Sequence, residues 1–595
     1  MPPQSTPPIA TSRGIARRKW YVVGIILIVA LGASGYWAAT RPSTTKALDP
    51  IKPLEGTPKV PDGPAWFRDV TAETGIDFTC KNGEEADHFS ILESIGGGVA
   101  MIDFDRDGRL DLFFTGGGYF DGKTIKGHPC KLYRNMGNWK FRDVTREVGL
   151  DKIDFYNSGV AVADYDRDGW PDLLVTGYGR VALFHNEKGK RFVETTEKAG
   201  LRGNFWNTSA GFADLTGKGY PDLYVCQYVD WSFKNHPICK LPLSGGQRDV
   251  CPPQQFKPLV HTLYFNQGDG TFRDVTREQD LRSDGCGLGV LLADFNGDGR
   301  PDIYVANDAS NNHLYFNRGG KLEEKAMLAG VATDESGLYN GSMGVDIGDY
   351  DGSGQGSLFV TNFQYELHSL YQNLGKERFA YQSRAAGLGA LSRHFVAFGT
   401  GFIDVDNDGW EDLCFVNGHV VRKPAGNTLK QTPVLLRNVE FQGRRMFLDY
   451  SKRGGAYFQT PAVARGLAVG DLDNDGWPDL VVSNTNSPAV LLRNVASADN
   501  PARWLGVQLV GKNDRDVAGA TLVLETTFRR LTRFTKGGGS YLSSSDRRIL
   551  FGLGAAEKIG RLIVRWPWGK EQVFDNLEPN HYWTLREGEA KAARQ

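Results

Sequence analysis

The sequence predicts an all-β fold: a seven-bladed β-propeller with a C-terminal β-sandwich or barrel-like domain, preceded by one N-terminal transmembrane helix. Three observations predict it. A nine-residue acidic pattern recurs seven times, about 61 residues apart on average. Each copy lies between apolar runs of five or six residues, which read as buried strands rather than helices. Glycine fills 73 of the 595 positions, and without a collagen period such usage means many tight turns.

The repeats begin the argument. They read DFDRDGRLD from Asp103, DYDRDGWPD from Asp164, DLTGKGYPD from Asp214, DFNGDGRPD from Asp294, DYDGSGQGS from Asp349, DVDNDGWED from Asp404 and DLDNDGWPD from Asp471. Their spacing suits four short strands plus loops. A Gly-rich run such as GGGVAMI precedes each loop and a run such as LDLFFT follows it. A third strand reads KLYRN, ALFHN, TLYFN, HLYFN, SLYQN, VLLRN and AVLLRN. A fourth begins at Phe67, Phe141, Phe192, Phe272, Leu322, Phe379 and Phe447. The first of these precedes every acidic loop, and the last acidic loop has none after it. Phe67 to Thr71 is therefore expected to pair with the final blade and close a propeller, leaving no exposed sheet edge.

The N-terminus is of another kind. Residues 1–19 carry Arg13, Arg17, Arg18 and Lys19 and no acid, and residues 20–40 carry no charge. Twenty-one uncharged residues of helix would span a bilayer core with the basic flank in the cytoplasm, placing the bulk in the periplasm or outside the cell. A cleaved signal peptide, with the small residues Ala33, Ser34 and Gly35 near its end, is the alternative and would make the protein secreted; the length of the run favours the anchor. Residues 41–65 are Pro-rich and read as an extended linker. The propeller is expected over 66–495, the second domain over 501–587 and a tail over 588–595.

Composition narrows the function classes. With 69 Lys+Arg against 70 Asp+Glu the net charge is −1, which argues against nucleic acid as a partner. The seven cysteines include no CxxC pair, so neither a redox nor a zinc motif is present. Cys239 and Cys251 share one Pro-rich loop and are the expected disulfide.

The acidic loops suggest calcium. In D-x-D-x-D-G-x-x-D, side chains at positions 1, 3, 5 and 9 and the carbonyl of position 7 supply hard oxygen ligands in the number Ca²⁺ accepts. An EF-hand begins similarly but needs Glu at position 12 and flanking helices; here position 12 of the first loop is Phe114, between strands. Five loops are near complete. The expected ligands are Asp103, Asp105, Asp107, Arg109 and Asp111; Asp164, Asp166, Asp168, Trp170 and Asp172; and Asp294, Asn296, Asp298, Arg300 and Asp302. The last two sets are Asp404, Asp406, Asp408, Trp410 and Asp412, then Asp471, Asp473, Asp475, Trp477 and Asp479. About five Ca²⁺ per chain are expected. Lys218, in the loop at Asp214, could replace a cation between Asp214 and Asp222. Ser353 and Ser357 should leave the loop at Asp349 with weak binding or none.

These repeats resemble the FG-GAP/VCBS repeats of integrin α-subunit propellers, and more closely the ASPIC/UnbV, or cartilage acidic protein, family. The tail extends the resemblance in Trp504 to Gly511, Asn513-Asp514-Arg515-Asp516, Gly519-Ala520, GGGSYLSSSDRR, FGLG and VRWPWG. The resemblance implies an exported calcium-binding protein active in adhesion or ligand recognition, with no established catalytic residues.

A partner's place follows from topology. Acidic loops joining strands one and two share one face, so loops joining strands two and three open on the other. Those are long and varied at 116–131, 226–262 and 417–433, with Tyr228, Trp231 and His236 in the second. An unidentified surface protein or glycan is expected there. The alternative is a calcium-assisted polysaccharide lyase or hydrolase using His88, His128, His236, His394 or His419 with Asp308, although no Ser-His-Asp, GxSxG or HExxH pattern appears.

Overall fold

A computed structural model describes residues 58–391, 394–498, 502–554 and 558–595, all within one compact unit, Pro53–Gln595. These residues are almost entirely strands and loops, with single-turn α-helices only at Thr71–Thr74 and Ala326–Ala329. The expected membrane anchor is corrected here. No helix among the described residues is long and apolar enough to cross a membrane, a crossing that takes about 20 residues. The expected span over 20–40 lies outside the described residues, and the location inferred from it is not supported.

Each acidic loop sits in its own antiparallel sheet, in the strand order that the repeat implies. Sheet 1 holds Val99–Ile102, Asp111–Phe114, Lys131–Asn135 and Phe141–Asp143, and sheet 2 holds Asn157–Ala163, Asp172–Gly177, Arg180–Asn186 and Phe192–Glu194. Sheets 3 to 6 repeat this order, with first strands Asn207–Ala213, Gly287–Ala293, Val345–Gly348 and Ala397–Ile403. Sheet 7 comprises Ala464–Gly470, Asp479–Asn484, Val490–Asn494 and, from the other end of the repeats, Phe67–Asp69. Phe67 pairs with Asn494 and Asp69 with Leu492, the join expected from the strand count.

Apolar cores lie between successive sheets. One packs Val99, Met101 and Leu112 of sheet 1 against Ala468, Val481 and Leu491 of sheet 7, so the two ends of the series share a core as neighbours do. First strands of adjacent sheets approach too closely for side chains. A Cβ on Gly344 would lie 2.1 Å from the Phe398 carbonyl oxygen, and one on Gly289 would lie 2.2 Å from that of Met343. Part of the glycine excess therefore serves close approach rather than turns.

The C-terminal domain is two four-stranded sheets, one built on Arg503–Val510 and the other on Thr521–Thr526, enclosing Leu505, Val507, Leu522, Leu524, Leu562 and Val564. Between strands Arg530–Phe534 and Ile549–Gly554 the chain leaves this domain and enters the space among the first strands. Gly537 and Gly538 pair with Leu292 and Leu291 of sheet 4. Ser540 N–H donates to Val345 of sheet 5 at 2.7 Å, while its Oγ donates to Leu467 of sheet 7 and accepts from Thr400 N–H of sheet 6. Leu542 bonds Ser209 Oγ of sheet 3 and Val160 N–H of sheet 2. Ser543 Oγ accepts from Val99 N–H of sheet 1. One stretch of about ten residues thus touches the first strand of every sheet.

The insert at 226–262 closes on the expected Cys239–Cys251 disulfide, with Cα atoms 5.3 Å apart. It reaches the segment before sheet 1 and the loop at 417–433: His236 Nε2 lies 2.9 Å from the His88 carbonyl oxygen, and Arg422 N–H donates to Asp249.

Candidate metal centres

The five near-complete loops share one hydrogen-bonded frame. Position 6 is glycine at φ between +80° and +89°, a left-handed conformation that a Cβ would strain. Its N–H donates to the position 1 aspartate at 2.7–3.0 Å. The N–H groups of Arg109, Trp170, Arg300, Trp410 and Trp477 donate to the position 5 aspartate at 2.8–3.0 Å. The position 9 aspartate is buried and accepts two backbone N–H bonds, one from position 2 and one from the third strand, as with Asp111 from Phe104 and Asn135. The turn is therefore fixed by the same carboxylates that sequence assigns to the metal.

Four loops gather carboxylate oxygens within 4.8 Å of one another: Asp103, Asp105 and Asp111; Asp164, Asp166 and Asp168; Asp404, Asp406 and Asp412; Asp471, Asp473 and Asp479. The loop at Asp294 builds the same turn, but Asn296 Nδ2 donates to Asp298 Oδ2 at 3.0 Å and Glu377 Oε1 at 3.2 Å. The charge is held against its own preference. Burial lifts Asp103 to about 6, and Asp164 and Asp471 to about 7. Burial, with neighbouring carboxylates, also pushes Asp111, Asp302, Asp412 and Asp479 well above the ordinary range. Oδ1 of Asp105, Asp404 and Asp473 is buried with no hydrogen-bond partner. Buried, unpartnered, like-charged oxygens in a tight cluster fit a hard cation.

Part of the counter-charge is built in. Arg134 lies 2.6 Å from Asp105, Arg437 2.6 Å from Asp406 and Arg493 2.9 Å from Asp473. At the second loop the equivalent residue is His185, its Nδ1 3.1 Å from Asp166 and 3.4 Å from Asp172; Asp172, then Asp166, raise it to about 9.

The two divergent loops behave differently from each other. Lys218 is exposed and makes no ion pair with Asp214 or Asp222, so the expected replacement of a cation by its ammonium is not found. Burial instead raises Asp222 to about 8, and Trp568 of the C-terminal domain donates Nε1–H to the Asp214 carbonyl at 2.7 Å. In the loop at Asp349, Ser357 Oγ takes over the position 9 duty and accepts from Asn373 N–H at 3.1 Å. Gln372 donates to Asp351 at 2.6 Å.

The C-terminal domain lies against these loops. Tyr582 Oη donates to Asp471 Oδ2 at 2.8 Å, Arg533 sits 3.6 Å from Asp404, and Trp568 N–H donates to Gly299 at 2.7 Å. A Cβ on Gly476 would fall 1.9 Å from the Trp504 ring.

Comparison with known proteins places this arrangement. An FG-GAP-like repeat model matches residues 103–175, 164–225, 261–305 and 294–360, and an FG-GAP repeat model matches 463–498. A model described as ASPIC and UnbV matches 510–592. The chain is an FG-GAP repeat protein with an ASPIC/UnbV domain. It is homologous to cartilage acidic protein 1 of Xenopus tropicalis, at 24% identity over 80% of this chain and 70% of that protein. Integrin alpha-6 of Gallus gallus is 30% identical over 26% of this chain and 15% of that protein. A solved Agrocybe aegerita lectin that recognises non-reducing terminal N-acetylglucosamine aligns over 60% of this chain and 79% of that chain, at 16% identity and a TM-score of 0.35.

The FG-GAP repeats contain one more functional position, whose role the sequence reading did not assign. The asparagine closing the third-strand motif is Asn135, Asn186, Asn266, Asn317, Asn373, Asn438 or Asn494; it ends the strand in every sheet but the sixth, where the strand runs on to Phe441. Each donates Nδ2–H to two carbonyls, one in its own acidic loop and one in the loop of the preceding sheet. Asn135 reaches Leu472 of sheet 7, so the series returns to its start. The signal was visible, an asparagine in all seven copies, but its partner lies across a sheet boundary. Asn317→Ala should cost about 3 kcal/mol in denaturant unfolding, because the Leu215 and Pro301 carbonyls lose their buried donor.

Two of the histidines named for catalysis, His236 and His88, hold loops together. His236 Nδ1 accepts from Trp231 Nε1–H at 3.1 Å, and His88 Nε2 lies 2.9 Å from the Gly122 carbonyl oxygen.

Proposed function

We propose that the FG-GAP repeats form a closed seven-bladed β-propeller that binds about five Ca²⁺ and acts as a non-catalytic recognition or adhesion module for a protein or carbohydrate. The observation that carries this reading is the asymmetry of the faces. The ASPIC/UnbV domain packs on the acidic loops at Asp471, Asp404 and Asp214, through Tyr582 to Asp471, Arg533 beside Asp404 and Trp568 to Asp214. They are therefore placed to stabilise rather than to contact a partner. The long loops of sheets 1, 3 and 6 meet one another on the other side, where Arg422 and Lys423 N–H both bond Asp249. Homology to cartilage acidic protein 1 and integrin alpha-6 supports recognition without chemistry.

Each ion would be held by the position 1, 3, 5 and 9 side chains and the position 7 carbonyl of its loop. When bound it supplies the positive charge that the buried carboxylates lack. Native mass spectrometry of calcium-equilibrated protein should count about five ions; two or fewer would refute the assignment. A glycan and surface-protein array probed with the full chain, with and without chelator, tests the recognition. Calcium-dependent binding without turnover is expected, whereas depolymerisation of a bound polysaccharide would replace the reading with a lyase or hydrolase.

A further inference from the structure

Position 4 of every acidic loop has a left-handed backbone, with φ between +52° and +76°. Glycine adopts this conformation without strain, and Gly217, Gly297 and Gly352 hold it in the loops of sheets 3, 4 and 5. The other four loops place a side chain there: Arg106, Arg167, Asn407 and Asn474, at φ of +52° to +61°. A Cβ disfavours the conformation, so these four side chains need a reason.

All four reach the following loop at the same place. Asn407 Nδ2 donates to the Gly476 carbonyl at 3.0 Å, and Asn474 Nδ2 to the Gly108 carbonyl at 2.9 Å. The Arg106 guanidinium lies 5.3 Å from the centre of the Trp170 ring, and that of Arg167 lies 4.6 Å from the centre of the Tyr220 ring. Gly476 and Gly108 are position 6 of their loops, and Trp170 and Tyr220 are position 7. A further contact spans the join between sheets 7 and 1, where Trp139 donates Nε1–H to Asp473 at 2.6 Å. Among the described residues a Cβ on Gly297 would meet nothing within 4 Å, and one on Gly217 would meet the Trp568 ring rather than the next acidic loop.

The links follow the ring. Sheets 6, 7, 1 and 2 are consecutive, each sharing an apolar core with the next. Their loops are the four whose carboxylate oxygens gather within 4.8 Å of one another. The loop at Asp294 stands apart, between the loop with Lys218 and the loop with Ser353 and Ser357. Carboxylate clustering and a side chain at position 4 are separate features, and they select the same four loops.

We propose that the loops of sheets 6, 7, 1 and 2 bind calcium as one cooperative array, while the loop at Asp294 takes its ion independently. This rests on the calcium reading. Position 4 lies between the ligands at positions 3 and 5, so ordering those two fixes the position 4 side chain as well. That side chain holds position 6 or 7 of the next loop, between the ligands at positions 5 and 9. A loop beside a filled neighbour has less freedom left to lose and binds more tightly. Arg167 carries the contact on to the loop at Asp214, where Thr216 and Lys218 stand at positions 3 and 5 and the array ends.

Native mass spectrometry of the full chain across a calcium titration tests this, because it counts each occupancy separately. Near half saturation, chains with two or three ions should be scarce beside those with none, one, four or five, and the steep phase should show a Hill coefficient of about 2 or more. Asn474→Gly keeps the left-handed turn with the residue that three other loops use and removes the link to Gly108. Two- and three-ion chains should then become abundant, and half saturation should need about fivefold more calcium. Asn407→Gly should do the same at the join between sheets 6 and 7, whereas Asp298→Asn should remove one ion and leave the other four cooperative. A melting temperature in chelator equal to the parent's separates uncoupling from misfolding, and the parent's own occupancies decide the matter should either glycine variant fail to fold. Occupancies that follow independent binding in the parent, or cooperativity that survives in both folded glycine variants, overturn the proposal. If about five ions bind independently, only the coupling falls; if two or fewer bind, the calcium reading falls with it.

Discussion

Chelation of the full chain at neutral pH should lower its melting temperature by about 10 °C. An ion present at a hundred times its dissociation constant contributes about 2.7 kcal/mol, so five contribute about 13 kcal/mol. In a body of this size about 1 kcal/mol moves the midpoint by about 1 °C. The pH dependence carries the sign of the mechanism. In the metal-free protein Asp103 titrates at about 6, and Asp164 and Asp471 at about 7, above the ordinary value of 3.8. The folded state then binds protons more tightly than the unfolded chain. Stability from these groups is greatest below about pH 4 and is lost as pH rises to about 7. Calcium reverses the slope, because protons compete with the ion for the same oxygens. Thermal scans with and without chelator between pH 4 and 8 should therefore give curves of opposite slope. Parallel curves would show that no cation balances these carboxylates.

Gly98→Ala should destabilise the whole described body by about 3 kcal/mol or more, although the change adds one methyl group. A Cβ at Gly98 would lie 1.7 Å from the Leu542 carbonyl oxygen, and backbone on both sides must move. Leu542 belongs to the stretch that bonds the first strand of every sheet, so the displacement is shared by all of them. For the same reason the C-terminal domain should not unfold separately. Denaturant transitions followed by near-ultraviolet circular dichroism and by hydrogen exchange at Trp568 and Trp206 should coincide. An earlier, independent transition for Trp568 would mean that the stretch 537–545 is an accessory rather than an axle.

Much of this was legible because the repeat reports itself seven times. The acidic loops, the third-strand motif and the orphan strand at Phe67 were each readable from pattern alone, and the pairing of Phe67 with Asn494 follows from counting. The disulfide was also readable, since two cysteines in one short loop have few alternatives. The contacts that bind one repeat to the next were not. Asn135 bonds Leu472, 337 residues away, and Val99 bonds Ser543, 444 residues away. No local pattern encodes such a pair. The expectation for Lys218 failed for a related reason: proximity in sequence did not bring its ammonium to Asp214, and a tryptophan from the distant C-terminal domain covers that loop instead.

The sequence by itself therefore determined the strand periodicity, the turn chemistry of the acidic loops and the residues available to a cation, because each depends on side chains within about ten positions of one another. Only the tertiary structure decided what covers those loops, what fills the space among the first strands, and which buried groups are left without partners. Those outcomes depend on which distant segments exclude water from one another, and a buried atom such as Asp404 Oδ1 acquires meaning only when its surroundings are complete.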